Sequence, residues 1–156
     1  MARRAFFSCL SFAALFALPL FLLLPGSART ATDPWTASQT IQAEDLAKEL
    51  AKSPSSLTIV CTGFRRLFNS GHITGAQFHG PAGTDEGLKD LTAWAYSLPR
   101  STKIVIYCGC CPMERCPNIR PAFSALRNLG FKDVRVLILP YDFAVDWAAR
   151  GFLYEH

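Results

Sequence analysis

Short apolar runs alternate along the chain with stretches in which apolar residues recur every three or four positions. The runs are Leu57-Thr-Ile-Val-Cys61, Lys103-Ile-Val-Ile-Tyr107 and Val134-Arg-Val-Leu-Ile-Leu139. They are short and rich in β-branched residues, which predicts buried strands rather than helices. Thr40-Ile41 predicts a brief strand before them, and Gly71 to Phe78 runs into another. Helical spacing appears over Ala43 to Ala51, where Leu46 and Leu50 share a face. It returns over Asp85 to Ser97, with Leu88, Leu91, Trp94 and Ala95 on one side. Phe64 to Asn69 has room for one or two helical turns. Pro117 to Leu129 and Asp142 to Arg150 complete the helical stretches, with Trp147 as the anchor of the last. Pro117 suits a first helical turn, where its missing N–H costs nothing. Gly130 suits a helix C-terminus. Strands alternate with helices and no connection is a tight hairpin. That order predicts a single α/β domain whose parallel sheet, of about five strands, is covered by helices on both faces.

The N-terminus changes the picture. Arg3-Arg4 precede an apolar run from Ala5 to Leu24, followed by Pro25-Gly-Ser-Ala-Arg-Thr-Ala31. A basic start, an apolar middle and small residues afterwards mark residues 1–30 as a secretory signal, with the cut between Ala28 and Ala31. An uncleaved membrane anchor is the alternative, since about 20 apolar residues span a bilayer. Residues 31–39 read as a polar linker, Asp33-Pro34 being a turn signal, and the domain runs from 40 to 156. The expected location is the periplasm, or the membrane facing it, with membrane contact only through the N-terminal segment. The chain carries a net charge of +4. Removing residues 1–28 takes away Arg3 and Arg4 and no acids, so +4 falls to +2. That mild charge and the lack of a basic stripe argue against nucleic acid as a partner.

Cysteine usage is more informative. Of the six cysteines, Cys9 leaves with the signal, and Cys61, Cys108, Cys110, Cys111 and Cys116 remain. In an oxidising compartment an odd number leaves at least one reactive thiol. Four of the five fall in one loop, Cys108-Gly-Cys-Cys-Pro-Met-Glu-Arg-Cys-Pro-Asn118. The loop starts where the central strand ends and leads to a helix N-terminus. In open α/β sheets that edge is where ligands bind. Backbone N–H groups and the helix dipole there favour an anion such as a thiolate. Four thiolates spaced C-x-C-C-x4-C could hold zinc or an iron–sulfur cluster, but the spacing is not the paired pattern of a zinc ribbon and no His lies nearby in sequence, so the expectation is no metal. His72 is expected to be structural and His79 to have no special role. Trp94, Trp147 and the phenylalanines are expected in the core, with Asp142 and Asp146 as helix cap and surface residue.

Taken in order, these features resemble the rhodanese-like (sulfurtransferase) domain family. Gly71-His72-Ile73-x-Gly75-Ala76 matches the family's Gly-His-Ile-x-Gly-Ala. A strand ending Tyr107-Cys108 matches its Tyr-Cys, and Leu129-Gly130-Phe131 followed by Asp133-Val134 matches the close of its next helix. Trp147 and Gly151 match its late Trp and Gly. The resemblance covers about residues 40–155. There are departures. Cys61 and Gly63 stand where the family usually has Asp and Arg, and Pro140-Tyr141-Asp142 replaces a Gly-Gly pair. The active loop is longer, Cys-rich, and has Arg115 as its one basic residue. This looks like a divergent exported subgroup.

The resemblance implies a sulfurtransferase in which Cys108 accepts a sulfane sulfur as a persulfide and passes it on. The donor would be a small sulfur compound and the acceptor a thiol or a cyanide-like nucleophile, with no cofactor. Gly109, Cys110, Cys111, Arg115 and Cys116 would form the active-site loop, Arg115 and the loop amides holding the anion. Cys61 is a candidate redox partner. Two other readings stay open at this stage. One is a thiol–disulfide oxidoreductase using Cys108 with Cys110 or Cys111. The other is a non-catalytic envelope binding module with cysteines locked by disulfides or metal.

Overall fold

The computed structural model describes residues 33–156; the N-terminal segment read as an export signal or anchor lies outside them. Among the described residues no helix is long and apolar enough to cross a membrane. Five strands form the main sheet: β1 (Thr40–Gln42), β2 (Thr58–Cys61), β4 (Gln77–Phe78), β5 (Ile104–Tyr107) and β6 (Val134–Ile138). Their spatial order is β1-β6-β5-β2-β4, and every neighbouring pair is parallel. The helices are α1 (Ala43–Lys52), α2 (Arg65–Ser70), α3 (Asp85–Tyr96), α4 (Ile119–Asn128) and the short α5 (Phe143–Asp146).

The central strand β5 shows why the sheet is buried on both faces. All four of its residues are buried, and its side chains alternate between two separate core layers. Ile104 and Ile106 pack with Leu91 and Ala95 of α3 and with Ile119, Phe123 and Leu126 of α4. Val105 and Tyr107 pack on the other side with Leu46 of α1, Leu137 and Trp147. Period-two geometry turns one continuous apolar run into contacts on both faces.

Several local expectations change. The segment from Gly71 to Phe78 runs into a short strand as expected, but it also holds a second one. It splits into β3 (His72–Ile73) and β4, and β3 pairs antiparallel with a C-terminal strand β7 (Tyr154–Glu155) in a second small sheet. The predicted helix over Asp142 to Arg150 breaks at Trp147, with φ −126° and ψ −64°, and resumes as a 3-10 turn over Ala148–Arg150. The break lets the indole reach the core, where it is 1% exposed and donates to the Leu153 carbonyl at 3.0 Å. Asp142 caps α5 as expected, accepting from the Val145 N–H at 2.8 Å. Asp146 is not a surface residue. It is buried, and its carboxylate accepts from the N–H groups of Tyr141 and Asp142 at 2.6 and 2.9 Å. It thereby ties down the turn after β6.

Pro117 lies outside the helix it was expected to open, because α4 starts at Ile119 with Asn118 as its N-cap. A 3-10 turn over Met113–Arg115 takes up the preceding loop. The stretch read as a linker is anchored at its far end. Trp35 packs edge-on against Phe123, with ring centroids 5.5 Å apart, and Asp33 pairs with Arg120 at 2.6 Å. Trp94 sits half-buried at the rim of the core, stacked on His79, which in turn contacts Asp90 at 2.9 Å. Phe64 is exposed. His72 is structural: it is buried, stacked on Phe68, and its Nδ1 lies 2.9 Å from the Phe68 carbonyl oxygen.

Candidate active site

The carboxyl end of β5 delivers Cys108 to the sheet edge beside the end of β2. Two glycines make this approach possible. A Cβ on Gly63 would lie 2.6 Å from the Cys108 carbonyl oxygen and 3.3 Å from its Sγ. A Cβ on Gly80 would lie 2.6 Å from the Gly63 carbonyl oxygen. Three backbone segments therefore stack with no room for a side chain between them. On the other side, Gly109 takes φ +66°, and its carbonyl accepts from the Phe143 N–H at 3.1 Å. This braces the cysteine loop against the turn that Asp146 holds.

The loop folds its sulfurs inward. Cys108 Sγ lies 3.1 Å from Cys110 Sγ, and Cys110 Sγ lies 3.2 Å from Cys111 Sγ. The sulfurs of Cys108, Cys110 and Cys116 are all within 4.8 Å of one another. The spacing in sequence did not foreshadow this convergence; the 3-10 turn at Met113–Arg115 brings Cys116 back to the strand end. All five cysteines of the described chain are unpaired thiols.

Asn118 orients this nest, and the sequence reading missed it. It is 1% exposed. Its Oδ1 accepts from the Gly83 N–H at 2.8 Å, which fixes the amide so that Nδ2 points at the sulfurs. Nδ2 donates to Cys108 Sγ at 3.3 Å and lies 3.8 Å from Cys110 Sγ. The one available signal was a polar residue immediately before an apolar helix face, which reads as a cap. Here the side chain turns away from its own helix.

Charge is distributed differently from the expectation. The α4 N-terminal amides serve Cys116, not Cys108. The Cys116 thiol is drawn well below the ordinary thiol range by the Cys108 and Cys110 sulfurs beside it, and also by the N–H groups of Asn118 and Ile119, against the opposing effect of burial. Cys108 ends above the ordinary range. Its contact with Cys110 pulls it down, but the Cys116 contact and burial outweigh that pull. Cys110 is pushed up by Cys108, by Cys116 and by burial. The nest thus favours one negative charge, seated on Cys116. Arg115 does not supply a cation to it: the side chain is exposed, and among the described residues no hydrogen bond joins it to any of the sulfurs.

Cys61 faces the other core layer, with Tyr107 and Trp147. Its sulfur lies 3.9 Å from the Cys108 carbonyl oxygen. Burial pushes its thiol up to about 11, which keeps it protonated. A cavity of about 320 Å³ opens over the site, lined by Cys108, Gly109 and Cys110 on one side and by Leu67, Phe143 and Tyr154 on the other. Cys111 and Cys116 do not line it.

The arrangement predicts that Asn118→Ala lowers the rate of reaction at Cys108 by roughly 10- to 100-fold and destabilises the fold by about 0.5–1.5 kcal/mol, because the Gly83 N–H loses its acceptor. Asn118→Asp keeps that acceptor and removes the donor to sulfur. Alkylation kinetics of Cys108 and denaturant unfolding, run on both variants, separate the two effects.

No protein-family model matches the chain, and no curated protein matches it. Solved structures do. The rhodanese-like domain of the Alr3790 protein from Anabaena sp., determined by NMR, is 26% identical over 75% of this chain and 78% of its own, with a TM-score of 0.58. A crystal structure of the Alr3790 protein is 27% identical over 74% of this chain and 81% of its own, with a TM-score of 0.58. A structure of EanB with a cysteine persulfide and ergothioneine shares the fold at 20% identity, over 75% of this chain and 28% of that one, with a TM-score of 0.52. The parallel five-stranded sheet, the cysteine at the end of its central strand and these likenesses agree: the chain has the rhodanese-like fold and is similar to rhodanese-like domains.

Proposed function

We propose that the domain is a sulfurtransferase and that Cys108 carries the sulfur as a persulfide. The observation that carries this reading is that Cys108 lines the cavity, with the fixed Asn118 amide aimed at its sulfur. An amide donor in that position stabilises a sulfur anion, both before and after sulfur is gained. The Cys108 thiolate attacks the outer sulfur of a donor such as thiosulfate. The S–S bond of the donor breaks and sulfite leaves with the electron pair. A cyanide or thiolate acceptor then attacks the outer persulfide sulfur, and Cys108 leaves as thiolate. The EanB structure, with its cysteine persulfide on this fold, supports the chemistry. The basic and then apolar N-terminus supports a periplasmic setting, tested by N-terminal sequencing of protein recovered from cell fractions.

Thiocyanate formation from thiosulfate and cyanide tests the activity, and its pH dependence tests the site. Cys108 is raised above an ordinary thiol, so less of it is thiolate at neutral pH. Below its pKa, each unit of pH adds about tenfold to the thiolate fraction. The rate of sulfur loading should therefore climb from about pH 6 to about pH 9 without a plateau. A rate already flat above about pH 7 would mean that Cys108 is ionised there.

The 3.1 Å approach of Cys108 and Cys110 sulfurs favours one second reading, a thiol–disulfide oxidoreductase cycling between that dithiol and its disulfide. Such an enzyme needs Cys110 for turnover, whereas sulfur transfer needs Cys108 alone. Thiocyanate formation by Cys110→Ser separates them.

A further inference from the structure

We propose that the reduced thiol nest of Cys108, Cys110 and Cys116 is a three-thiolate binding site for a soft d10 metal ion, Cu(I). The sequence spacing is not a zinc-ribbon pattern and argued against a metal, but the fold assembles the ligands. Three sulfurs lie within 4.8 Å of one another, and among the described residues no His, Asp or Glu joins the group. A donor set of sulfur alone selects soft ions and disfavours magnesium, calcium and manganese. Metal–sulfur bonds of about 2.3 Å place coordinated sulfurs about 3.8–4.0 Å apart. The nest matches that scale, with the Cys108–Cys110 pair at 3.1 Å needing to open by less than about 1 Å.

The number of ligands decides between the soft ions. Zinc in thiolate sites takes four tetrahedral ligands. Cys111 offers a further thiol. It is 3.2 Å from Cys110 but lies outside the group of three. Among the described residues three thiolates converge while Cys111 stands outside the group, and that count suits Cu(I). The backing is already in place: Gly63 and Gly109 hold the strand end, and Met113 and the cysteines pack against the α3–α4 core layer. Each thiol that ligates releases its proton to solvent, and no electron moves. Bound copper would occupy the sulfur that the proposed transfer reaction uses, yet metal binding is measured without turnover and stands or falls separately from it.

The test is an anaerobic titration of the reduced protein with Cu(I) in the presence of a chromophoric Cu(I) chelator. Wild type should withdraw one equivalent from the chelator. Cys116→Ser and Cys110→Ser should each weaken binding more than tenfold, whereas Cys111→Ser and Cys61→Ser should stay within about twofold of wild type. Alkylation mapping of unmutated protein removes dependence on the variants' folding. Cu(I) should shield Cys108, Cys110 and Cys116 and leave Cys111 reactive. Failure of wild type to withdraw copper, equal loss in Cys111→Ser, or equally tight Zn(II) in a parallel titration would each overturn the assignment.

Discussion

Cys108→Ser should reduce thiocyanate formation by roughly 10⁴-fold or more, the scale seen when a covalent nucleophile is removed. The hydroxyl that replaces the thiol is far less acidic and cannot hold a sulfane sulfur. The fold should be little affected, since the change is nearly isosteric and the site is only part-buried. Neighbouring thiols are poorly placed to substitute. Cys116 is buried and does not reach the cavity, and Cys61, although it touches the cavity wall, is buried with its thiol pushed up to about 11. Cys110 does line the cavity, but its thiol is pushed far up by Cys108, Cys116 and burial. Steady-state assays of the variant, with unfolding curves alongside, give the result. Retention of more than a tenth of the activity would move the nucleophile to another cysteine.

Gly63→Ala should also slow the reaction strongly, although the residue carries no functional group. Its new Cβ would lie 2.6 Å from the Cys108 carbonyl oxygen, a clash with backbone that no rotamer change relieves. Overpacking of this kind costs about 1–3 kcal/mol. The strand end must shift, and Cys108 shifts with it, away from the amide of Asn118. Misplacement of a reacting group by about 1 Å costs on the order of 10²-fold in rate. The distinguishing result is a variant that remains folded and still has every cysteine, yet reacts slowly at Cys108. If Gly63→Ala loads sulfur at the wild-type rate, the close stacking of these backbones does not position the nucleophile.

These expectations depend on different amounts of the sequence. The Ile104–Tyr107 strand was legible because a short β-branched run with buried neighbours has few alternatives, and Cys108 followed from its place at the end of that run. The antiparallel pairing of β3 with β7 was not legible, since a two-residue strand leaves no periodic signal. Trp147 was identified as an anchor, but its burial breaks the helix that was expected to carry it. Arg115 illustrates a failure of matching by residue type. It is the only base in the loop, yet the 3-10 turn that brings Cys116 inward leaves it exposed. Asn118 and Gly63 were missed as site residues for a related reason. Their roles depend on contacts with Gly83 and Cys108, which lie far away in sequence, and a single amide or glycine carries no spacing that reveals such a partner. The seating of negative charge on Cys116 follows from the same loop path.

The most direct test of a sulfur-carrying Cys108 is the intact mass of the protein, reduced beforehand, after incubation with thiosulfate. The account predicts a gain of one sulfur atom in wild type. Cyanide should release it, and Cys108→Ser should show no gain. An unchanged wild-type mass, or a gain that survives in Cys108→Ser, would contradict it.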